Sequence, residues 1–464
     1  MIWGIAAAAP AQTPTPTPSP IPQIADDEKD FLGLTSLALG SGARAFGMGG
    51  AFLARADDAT AASWNPAGLS YLRRPEVTVV GARNSFVRRP TEAGATRLID
   101  DRFAGNTLDF AAATYPIQVG PASGAVQLSF QRVFSFRGER RVERTDQLLS
   151  SDGHGGFDVL AFATGIHVVR TLRVGATLNR WVNGYSQVRI RRAPRGDTIQ
   201  NLDFRLNGWN FNAGVIWSPT ESFNLGVVGK SVMKGSVNVD RRRRDDIPQP
   251  RPLPAVTTYN AANDEALRSE ENPREHPIDV SLSIPGAVGF GASWQPRSVL
   301  TVSADYTRTF WSIGRIHNFF TLARTEVDPS TGEASELNPP AKVFPSLRYP
   351  TLDDLRQADT EQFRVGAEYV ILGRRVKLPL RAGFFTDKQY FFDFRGRPPR
   401  FLGYTVGLGV VAGPVLLDVA YLRETGRYLD PEADPDDPAA TGAERSTRFN
   451  RLFVSIIYRH GTGP

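Results

Sequence analysis

Apolar and polar residues alternate along most of this chain from residue 75 onward. In segment 404–411 the apolar positions are Tyr404, Val406, Leu408 and Val410. Segments 209–217, 298–307 and 363–371 follow the same alternation. Because successive side chains of a β-strand point to opposite faces, this pattern predicts strands with one apolar face and one polar face.

Runs of this kind predict about fourteen strands. Their expected spans are 75–87, 104–116, 122–135, 156–169, 171–190, 202–217, 222–235, 278–295, 298–311, 361–371, 376–386, 401–412, 414–425 and 448–459.

The connections between these strands alternate between long and short. Short connections are expected at 118–121, 170, 218–221, 295–298, 372–375 and 413. Long connections are expected at 88–103, 136–155, 191–201, 236–277, 312–360, 387–400 and 426–447. Outer-membrane barrels have short periplasmic turns and long extracellular loops. The sequence therefore predicts an all-β protein, an outer-membrane antiparallel up-and-down β-barrel spanning 75–460.

The composition agrees with a barrel. The mean hydropathy is −0.26, and no stretch approaches the roughly 20 apolar residues that a transmembrane helix needs. Barrel strands have a weak hydropathy signal because their polar and apolar residues average out. The chain has no cysteine, so it can form neither a disulfide nor a thiolate metal site. We expect no metal or other cofactor.

The basic excess of the chain is +6 and is scattered over the predicted loops. Binding of nucleic acid would need these charges on one face, so no nucleic-acid partner is expected. Contact with outer-membrane lipid headgroups and lipopolysaccharide explains the charges better. Arg241–Arg244 in the 236–277 connection are candidates for contact with lipopolysaccharide phosphates.

Two segments precede residue 31. Residues 1–11 resemble the remnant of a signal peptide, with Ala9-Pro10-Ala11 as a small-x-small cleavage pattern. Residues 12–30 form a linker rich in proline and threonine. Residues 448–460 resemble the C-terminal signal that the barrel-assembly machinery recognises. The expected location is the bacterial outer membrane.

Residues 31–74 interrupt the strand pattern. The glycines Gly42, Gly47, Gly49 and Gly50 allow tight turns and close backbone approach. Pro66 disfavours helix at Asn65. A small, kinked segment of this kind is suited to the lumen of a barrel.

The runs GARAFGMGGAF at 42–52 and WNPAGL at 64–69 resemble the N-terminal signature of FadL-type outer-membrane transporters, the family that includes TodX. PorV-type outer-membrane proteins carry a similar signature. Further matches to the FadL-type family lie at 285–292, 364–369 and 380–387.

The resemblance implies a fourteen-stranded barrel with residues 31–74 as a hatch inside the lumen. It implies passive uptake of long-chain fatty acids or other hydrophobic compounds. The ligand would bind in the lumen and leave, after hatch movement, through a lateral opening at a kinked third strand. The hatch motif, expected against that strand, is Asn65, Pro66, Ala67 and Gly68.

Four hatch side chains are candidates for ligand contact: Phe46, Phe52, Trp64 and Leu69. The alternative is that they pack the hatch against the wall. Two other functions remain open, namely a PorV-like secretion or assembly component that binds protein partners, and a barrel anchor without transport.

An enzyme is not expected. His154, His276, His317 and His460 lie in loops or at the chain end, His167 is the one histidine in a predicted strand, and no Gly-x-Ser-x-Gly elbow occurs. The acidic run 430–437 lacks the glycine and the spacing of an EF-hand loop, so we interpret it as a solvated loop.

Overall fold

The chain folds into a closed antiparallel β-barrel of fourteen strands. The computed structural model describes residues 40–90, 101–135, 138–143, 148–193, 196–246, 278–313, 324–327, 334–337, 358–393, 395–429 and 444–461. Predicted segments 1–11 and 12–30 and the acidic run 430–437 lie outside the described residues.

Four of the fourteen strands consist of two consecutive segments. The strands are β1 (Glu76–Pro90), β2 (Asp101–Val119), β3 (Ala122–Ser135 and Gly138–Glu143), β4 (Leu148–Val169), β5 (Leu172–Val182 and Gly184–Ala193), β6 (Gly196–Thr220), β7 (Phe223–Lys230 and Met233–Asp246), β8 (Ile278–Ile284 and Ala287–Arg297), β9 (Leu300–Thr309), β10 (Thr360–Leu372), β11 (Lys377–Lys388), β12 (Arg400–Ala412), β13 (Val415–Leu429) and β14 (Glu444–Arg459). A separate short hairpin joins Arg324–Val327 to Ala334–Leu337.

The barrel closes where the first strand meets the last. Glu76 of β1 lies opposite Thr114 of β2 on one side and opposite Arg459 of β14 on the other. A sheet that closes on itself presents no free edge, so backbone amides and carbonyls can be satisfied where water is excluded.

The prediction of about fourteen strands is confirmed, but several strands extend further than expected. β4 begins at Leu148, β6 begins at Gly196 and the ladder of β7 runs to Asp246. The expected loops 136–155 and 191–201 are therefore largely strand, and Arg241–Arg244 lie in β7 rather than in a loop. Above the membrane both faces of a strand meet water. The apolar alternation then ends although the hydrogen-bonded ladder continues.

Short turns join the strands at one end of the barrel. Two-residue connections occur at Gly120–Pro121 and Gly413–Pro414, and both glycines have positive φ, 58° and 56°. Left-handed backbone of this kind costs glycine little because it has no Cβ. The end with the short turns is the periplasmic end of an outer-membrane barrel, and the opposite end is extracellular.

Side-chain burial is inverted relative to a water-soluble barrel. On the outward face Val79 is 47% exposed and Leu128 is 66% exposed, whereas the inward Thr78 and Gln127 are each 1% exposed. The predicted apolar face therefore faces lipid and the predicted polar face lines the lumen. No helix among the described residues is long and apolar enough to cross a membrane.

An arginine introduced on the outward face should destabilise the barrel, and more so the closer it lies to the middle of the membrane. Val406→Arg, in the middle of β12, should cost roughly 2–4 kcal/mol of unfolding free energy, and Ala412→Arg at the periplasmic turn should cost about 0–1 kcal/mol. Urea unfolding in lipid bilayers, followed by tryptophan fluorescence, measures both. Equal costs would contradict the assignment of the outward face to lipid.

Candidate functional site

Residues 40–74, here called the luminal segment, enter the barrel and fill part of its lumen. The segment contains helix α1 (Ala43–Gly47), helix α2 (Ala61–Trp64) and a 3-10 helix (Pro66–Tyr71). It is bonded to strands around the wall. Ala43 N donates to Ser455 Oγ of β14 at 2.7 Å, and Phe52 N donates to Asp305 Oδ2 of β9 at 2.6 Å.

Proline chemistry sets the conformation at the end of α2. The helix ends at Trp64, and Asn65 is extended at φ −142° and ψ 108°, as expected of a residue before Pro66. Asn65 Oδ1 then accepts from Ala67 N at 3.2 Å, which caps the 3-10 helix.

The Asn65 side chain also joins the luminal segment to the wall. Its Nδ2 donates to the carbonyl of Leu53 at 2.9 Å and to the carbonyl of Val215 in β6 at 3.2 Å. A single buried amide therefore connects two parts of the segment and one strand. An unpaired buried amide would cost several times the net value of one hydrogen bond, so the position of Asn65 is strongly constrained.

A row of three glycines forms the wall beneath the Asn65–Pro66 turn. Gly165 of β4 lies opposite Gly175 of β5, which lies opposite Gly214 of β6. A Cβ on these glycines would come within 2.5 Å, 2.3 Å and 2.0 Å of the turn, respectively. The absence of side chains lets the backbone of the turn lie directly on the backbone of the wall.

This position adds three strands to the expected neighbours of the hatch motif. Asn65 and Pro66 lie against glycines of β4, β5 and β6, and β3 also borders the 3-10 helix that begins at Pro66. β3 further contacts the segment through Gln127, whose Nε2 donates to the carbonyl of Ala59 at 2.7 Å. Sequence alone did not relate the three glycines, because they align only through the strand register.

Three of the four expected hatch glycines have positive φ: 109° at Gly42, 68° at Gly49 and 75° at Gly50. The fourth, Gly47, has ordinary backbone angles, but a Cβ there would lie 3.2 Å from the Cα of Gly407 in β12. Turn geometry explains the first three and close approach to the wall explains the fourth.

The candidate ligand contacts lie in one closed apolar cluster. Phe46 stacks on Phe453 of β14 with ring centroids 4.3 Å apart, and Trp64 packs edge-on against Phe46 and Phe52. These side chains and Leu69 are at most 2% exposed. A ligand would reach them only after the segment moves, so their contact with ligand stays a prediction.

Charged side chains connect the luminal segment to the opposite side of the wall. Glu368 of β10 accepts from Arg44 at 3.2 Å and from Arg381 of β11 at 2.7 Å. Arg55 lies 3.4 Å from the same carboxylate, and Arg44 also pairs with Asp57 at 2.6 Å. Glu368 thus binds two arginines of the segment, Arg44 and Arg55, and one arginine of the wall.

Two further contacts complete this network. Arg381 pairs with Asp418 of β13 at 2.6 Å, and Arg55 donates to Thr301 Oγ1 of β9 at 2.6 Å. Burial opposes the charge on Arg44, but the carboxylates around it, including Asp57 and Glu368, raise the pKa of Arg44 well above its usual value. Arg44 therefore remains charged while buried.

A cavity lies in the lumen, between β3 and β9. Its apolar lining includes Val133, Val159, Trp181, Met233 and Ile284. Its polar lining includes Asn179, Asn210, Asn212 and Lys230, whose Nζ lies 3.4 Å from the carbonyl of Ser63 in the luminal segment. The mixture of apolar walls and a few convergent polar groups is that of a small-molecule site.

Sequence analysis missed Trp181 as a cavity residue. Tryptophan near a strand end suggests the membrane interface, yet Trp181 is 6% exposed and its Nε1 donates to Asn210 Oδ1 at 2.8 Å inside the lumen. The alternation along β5 indicates the inward position, because Trp181 shares its face with Thr177 and Asn179 and not with Leu178.

The wall loosens between β2 and β3. Their ladder runs from Val119↔Ala122 to Phe110↔Gln131 and ends there within the described residues. Each strand has a bulge at that height. Asp109 is the extra residue of β2 relative to β1, and Val133 is the extra residue of β3 relative to β4. Bulges interrupt the pairing of strands, and this interruption of the ladder is here called the parting of the wall. Beyond it, β2 lies beside Gly138–Glu143, the second segment of β3.

This parting of the wall adjoins both the cavity and the luminal segment. Gln131 and Val133 line the cavity, and Ser41 Oγ donates to Asp109 Oδ2. On β3, Arg132 binds Asp158 of β4 through two hydrogen bonds of 2.7 Å and 2.8 Å. The interruption at the third strand was expected, but it lies beside Ser41 and not beside residues 65–67.

These features define a transmembrane β-barrel of the outer-membrane type, located in the bacterial outer membrane, with a luminal segment and a parting in its wall. A FadL homologue of Pseudomonas aeruginosa has the same fold, with a TM-score of 0.57 and 12% identity over 91% of this chain and 99% of that one. The toluene transporter TodX of Pseudomonas putida gives 0.51 and 12% over 92% and 100%.

A TodX deltaS2 mutant, described as a monoaromatic hydrocarbon channel, gives a TM-score of 0.54 at 12% identity over 92% of this chain and 100% of that one. No family model and no curated protein matches the sequence. The fold is therefore that of the FadL-type and TodX channels. These comparisons do not bear on the expected relation to PorV-type proteins.

A side chain at Gly214 should displace the Asn65 turn. Gly214→Ala places a Cβ 2.0 Å from Asn65 Oδ1, and such overpacking should cost roughly 1–3 kcal/mol. Gly229→Ala on β7 is the matched control, since a Cβ there meets nothing within 4 Å. Urea unfolding gives the cost, and equal stability of both variants would contradict the close contact between Gly214 and the Asn65 side chain.

Removal of the shared carboxylate should loosen the luminal segment. Glu368→Gln leaves Arg44, Arg55 and Arg381 short of a buried counter-charge and should cost roughly 3–5 kcal/mol. Glu361→Gln, on the outward face of the same strand, should cost less than about 1 kcal/mol. Unfolding measurements and single-channel conductance in planar bilayers test this. If Glu368→Gln changed neither the unfolding free energy nor the conductance, the network would not be what holds the segment.

Proposed function

We propose that this chain is an outer-membrane channel for passive uptake of hydrophobic compounds, with long-chain fatty acids as the candidate substrate. The observation that carries the proposal is the position of the parted wall: Val133, the bulge residue of β3, also lines the luminal cavity. A bound ligand thus lies next to a gap in the strand ladder.

The energetics favour a lateral route for an apolar solute. Each methylene buried in the cavity contributes about 0.8 kcal/mol, whereas release into the aqueous periplasm would forfeit that gain. An exit between β2 and β3 leads into lipid, where the solute remains in an apolar medium. The same wall that excludes water therefore also delivers the ligand.

In this proposal the luminal segment acts as a hatch. Its turn at Asn65 rests on the glycine row, and its Arg44 and Arg55 bind Glu368, so most of the segment is held. Its described N-terminal end is different. Ser41 bonds to Ser63 and Trp64 within the segment, and to Asp109 beside the parting. Displacement of Ser41 from Asp109 would uncover the gap.

The structural comparisons support hydrophobic uptake by analogy of fold. The compared proteins are a FadL homologue and the toluene transporter TodX. At 12% identity the analogy extends to architecture, so the substrate must come from experiment.

Uptake of labelled oleate and of labelled toluene tests the function directly. A host lacking its own outer-membrane channels for hydrophobic compounds should take up oleate faster when it expresses this chain. The control is the same host with an unrelated barrel at equal expression. If the two hosts take up oleate at the same rate and toluene at the same rate, uptake by this chain is refuted. If only the uptake of toluene is faster, the substrate is an aromatic hydrocarbon and not a fatty acid.

A disulfide tests the movement of the hatch, since the chain has no native cysteine. Ser41→Cys with Asp109→Cys should cross-link the segment to β2 and lower uptake at least tenfold, with recovery after reduction. The outward pair Val406→Cys with Tyr421→Cys, opposite each other on β12 and β13, is the control. Full uptake by the oxidised double-cysteine variant would show that uptake does not require Ser41 to move away from Asp109.

A further inference from the structure

A second surface lies outside the lumen, on the outward face of β5, β6 and β7. Arg180 lies directly opposite Trp209, and Trp209 lies directly opposite Lys234. The Arg180 guanidinium is 4.8 Å from the centre of the Trp209 ring, within the range of a cation–π contact. Two cations therefore flank one aromatic ring across three neighbouring strands.

The depth of this group follows from β6. Its outward residues from Trp209 to Trp217 include Phe211, which is 58% exposed. Eight residue steps cover roughly 26 Å along a strand. A strand tilt of about 40° reduces this to roughly 20 Å of height, which is most of the apolar band of roughly 25 Å of outer-membrane barrels. Trp217 lies near a short periplasmic turn, so Trp209 lies close to the extracellular boundary of the band.

A third cation lies just above that boundary. Arg205 is exposed on the same face of β6, two pleats beyond Trp209. Within the part of the chain that the structure describes, Arg180, Arg205 and Lys234 form no ion pair with a carboxylate.

Two carboxylates lie near these cations and are engaged elsewhere. Asp158 of β4 binds Arg132 and Asn183, and Asp203 of β6 accepts from Ser186. Neither carboxylate forms an ion pair with the three cations. Arg132 compensates Asp158, whereas Asp203 keeps its negative charge. Three cations against one carboxylate leave the described part of this surface positive.

We propose that this surface binds the phosphate of a phosphorylated lipid in the surrounding outer leaflet. Arginine presents a planar fork of donors that fits phosphate oxygens, and lysine adds a point charge. Trp209 lies at headgroup level, as interfacial tryptophans do. Directly below it, Leu178 and Phe211 are opposite each other and both exposed. They give the acyl chains of the same lipid an apolar surface.

Charge and apolar surface together select a lipid over a free anion. Inorganic phosphate would use only the three cations, whereas a phosphorylated lipid also covers the apolar residues beneath them. The surface depends on the position of the barrel in the membrane and not on transport, so it stands or fails separately from the proposed uptake.

Native mass spectrometry of the detergent-purified barrel tests the site with lipid A as the probe. The intact protein should bind bisphosphorylated lipid A in preference to dephosphorylated lipid A. Each basic residue near a charged headgroup contributes about 1 kcal/mol. Arg180→Gln, Arg205→Gln and Lys234→Gln combined should therefore weaken binding of the bisphosphorylated form roughly a hundredfold.

The matched control removes three exposed cations from the periplasmic end, with Arg297→Gln, Arg374→Gln and Arg375→Gln. It should retain full binding, and oleate uptake should be unchanged in both triple variants. If both triple variants lost binding of bisphosphorylated lipid A equally, net charge would explain the effect and the proposed site would be overturned. Equal binding of dephosphorylated lipid A, or displacement by inorganic phosphate at the same concentration as lipid A, would overturn it as well.

Discussion

The rest of this structure depends on the requirement that backbone hydrogen bonds be satisfied where there is no water. In hydrocarbon an unpaired amide or carbonyl costs several kcal/mol, so a chain crosses as a helix or as a closed barrel. Here the pairing of β1 with β14 meets the requirement. A wall built on that rule has few places to part, and the bulges at Asp109 and Val133 show where this one does. An interruption at this position points to function, because closure alone would favour a continuous ladder.

The same rule makes the interior polar and shapes what can fill it. With apolar side chains turned to lipid, the lumen presents groups such as Asp305, Thr405 and Ser455, and the luminal segment bonds to them through its backbone. Where no side chain intervenes, as at Gly175, backbone rests on backbone. The segment therefore combines a few buried aromatic rings with many directed polar contacts. Such contacts hold the segment in one conformation.

Adjacent strands of the wall serve three environments at once. On β5 and β6, residues facing inward line the cavity, residues facing outward meet acyl chains, and the cations beside and above Trp209 meet headgroups. Neighbouring residues such as Arg180 and Trp181 thus have unrelated roles, because alternate side chains point to opposite sides of the wall. The effect of a substitution in these strands depends first on whether the side chain faces the lumen or the lipid and on its height in the membrane, and only then on its chemistry.

The sequence by itself determined the barrel, its strand number and the two faces of each strand, because lipid on one side and a polar lumen on the other impose a period of two. It also identified the bend before Pro66 and the positive-φ glycines of the luminal segment, which are local properties of the backbone. Only the tertiary structure decided which strands Asn65 touches, where Trp181 points and where the wall parts. Those features depend on register between strands far apart in the chain, and a slip of one residue would invert them. The extension of β4, β6 and β7 beyond the membrane was equally invisible, because outside lipid the ladder persists without an apolar pattern.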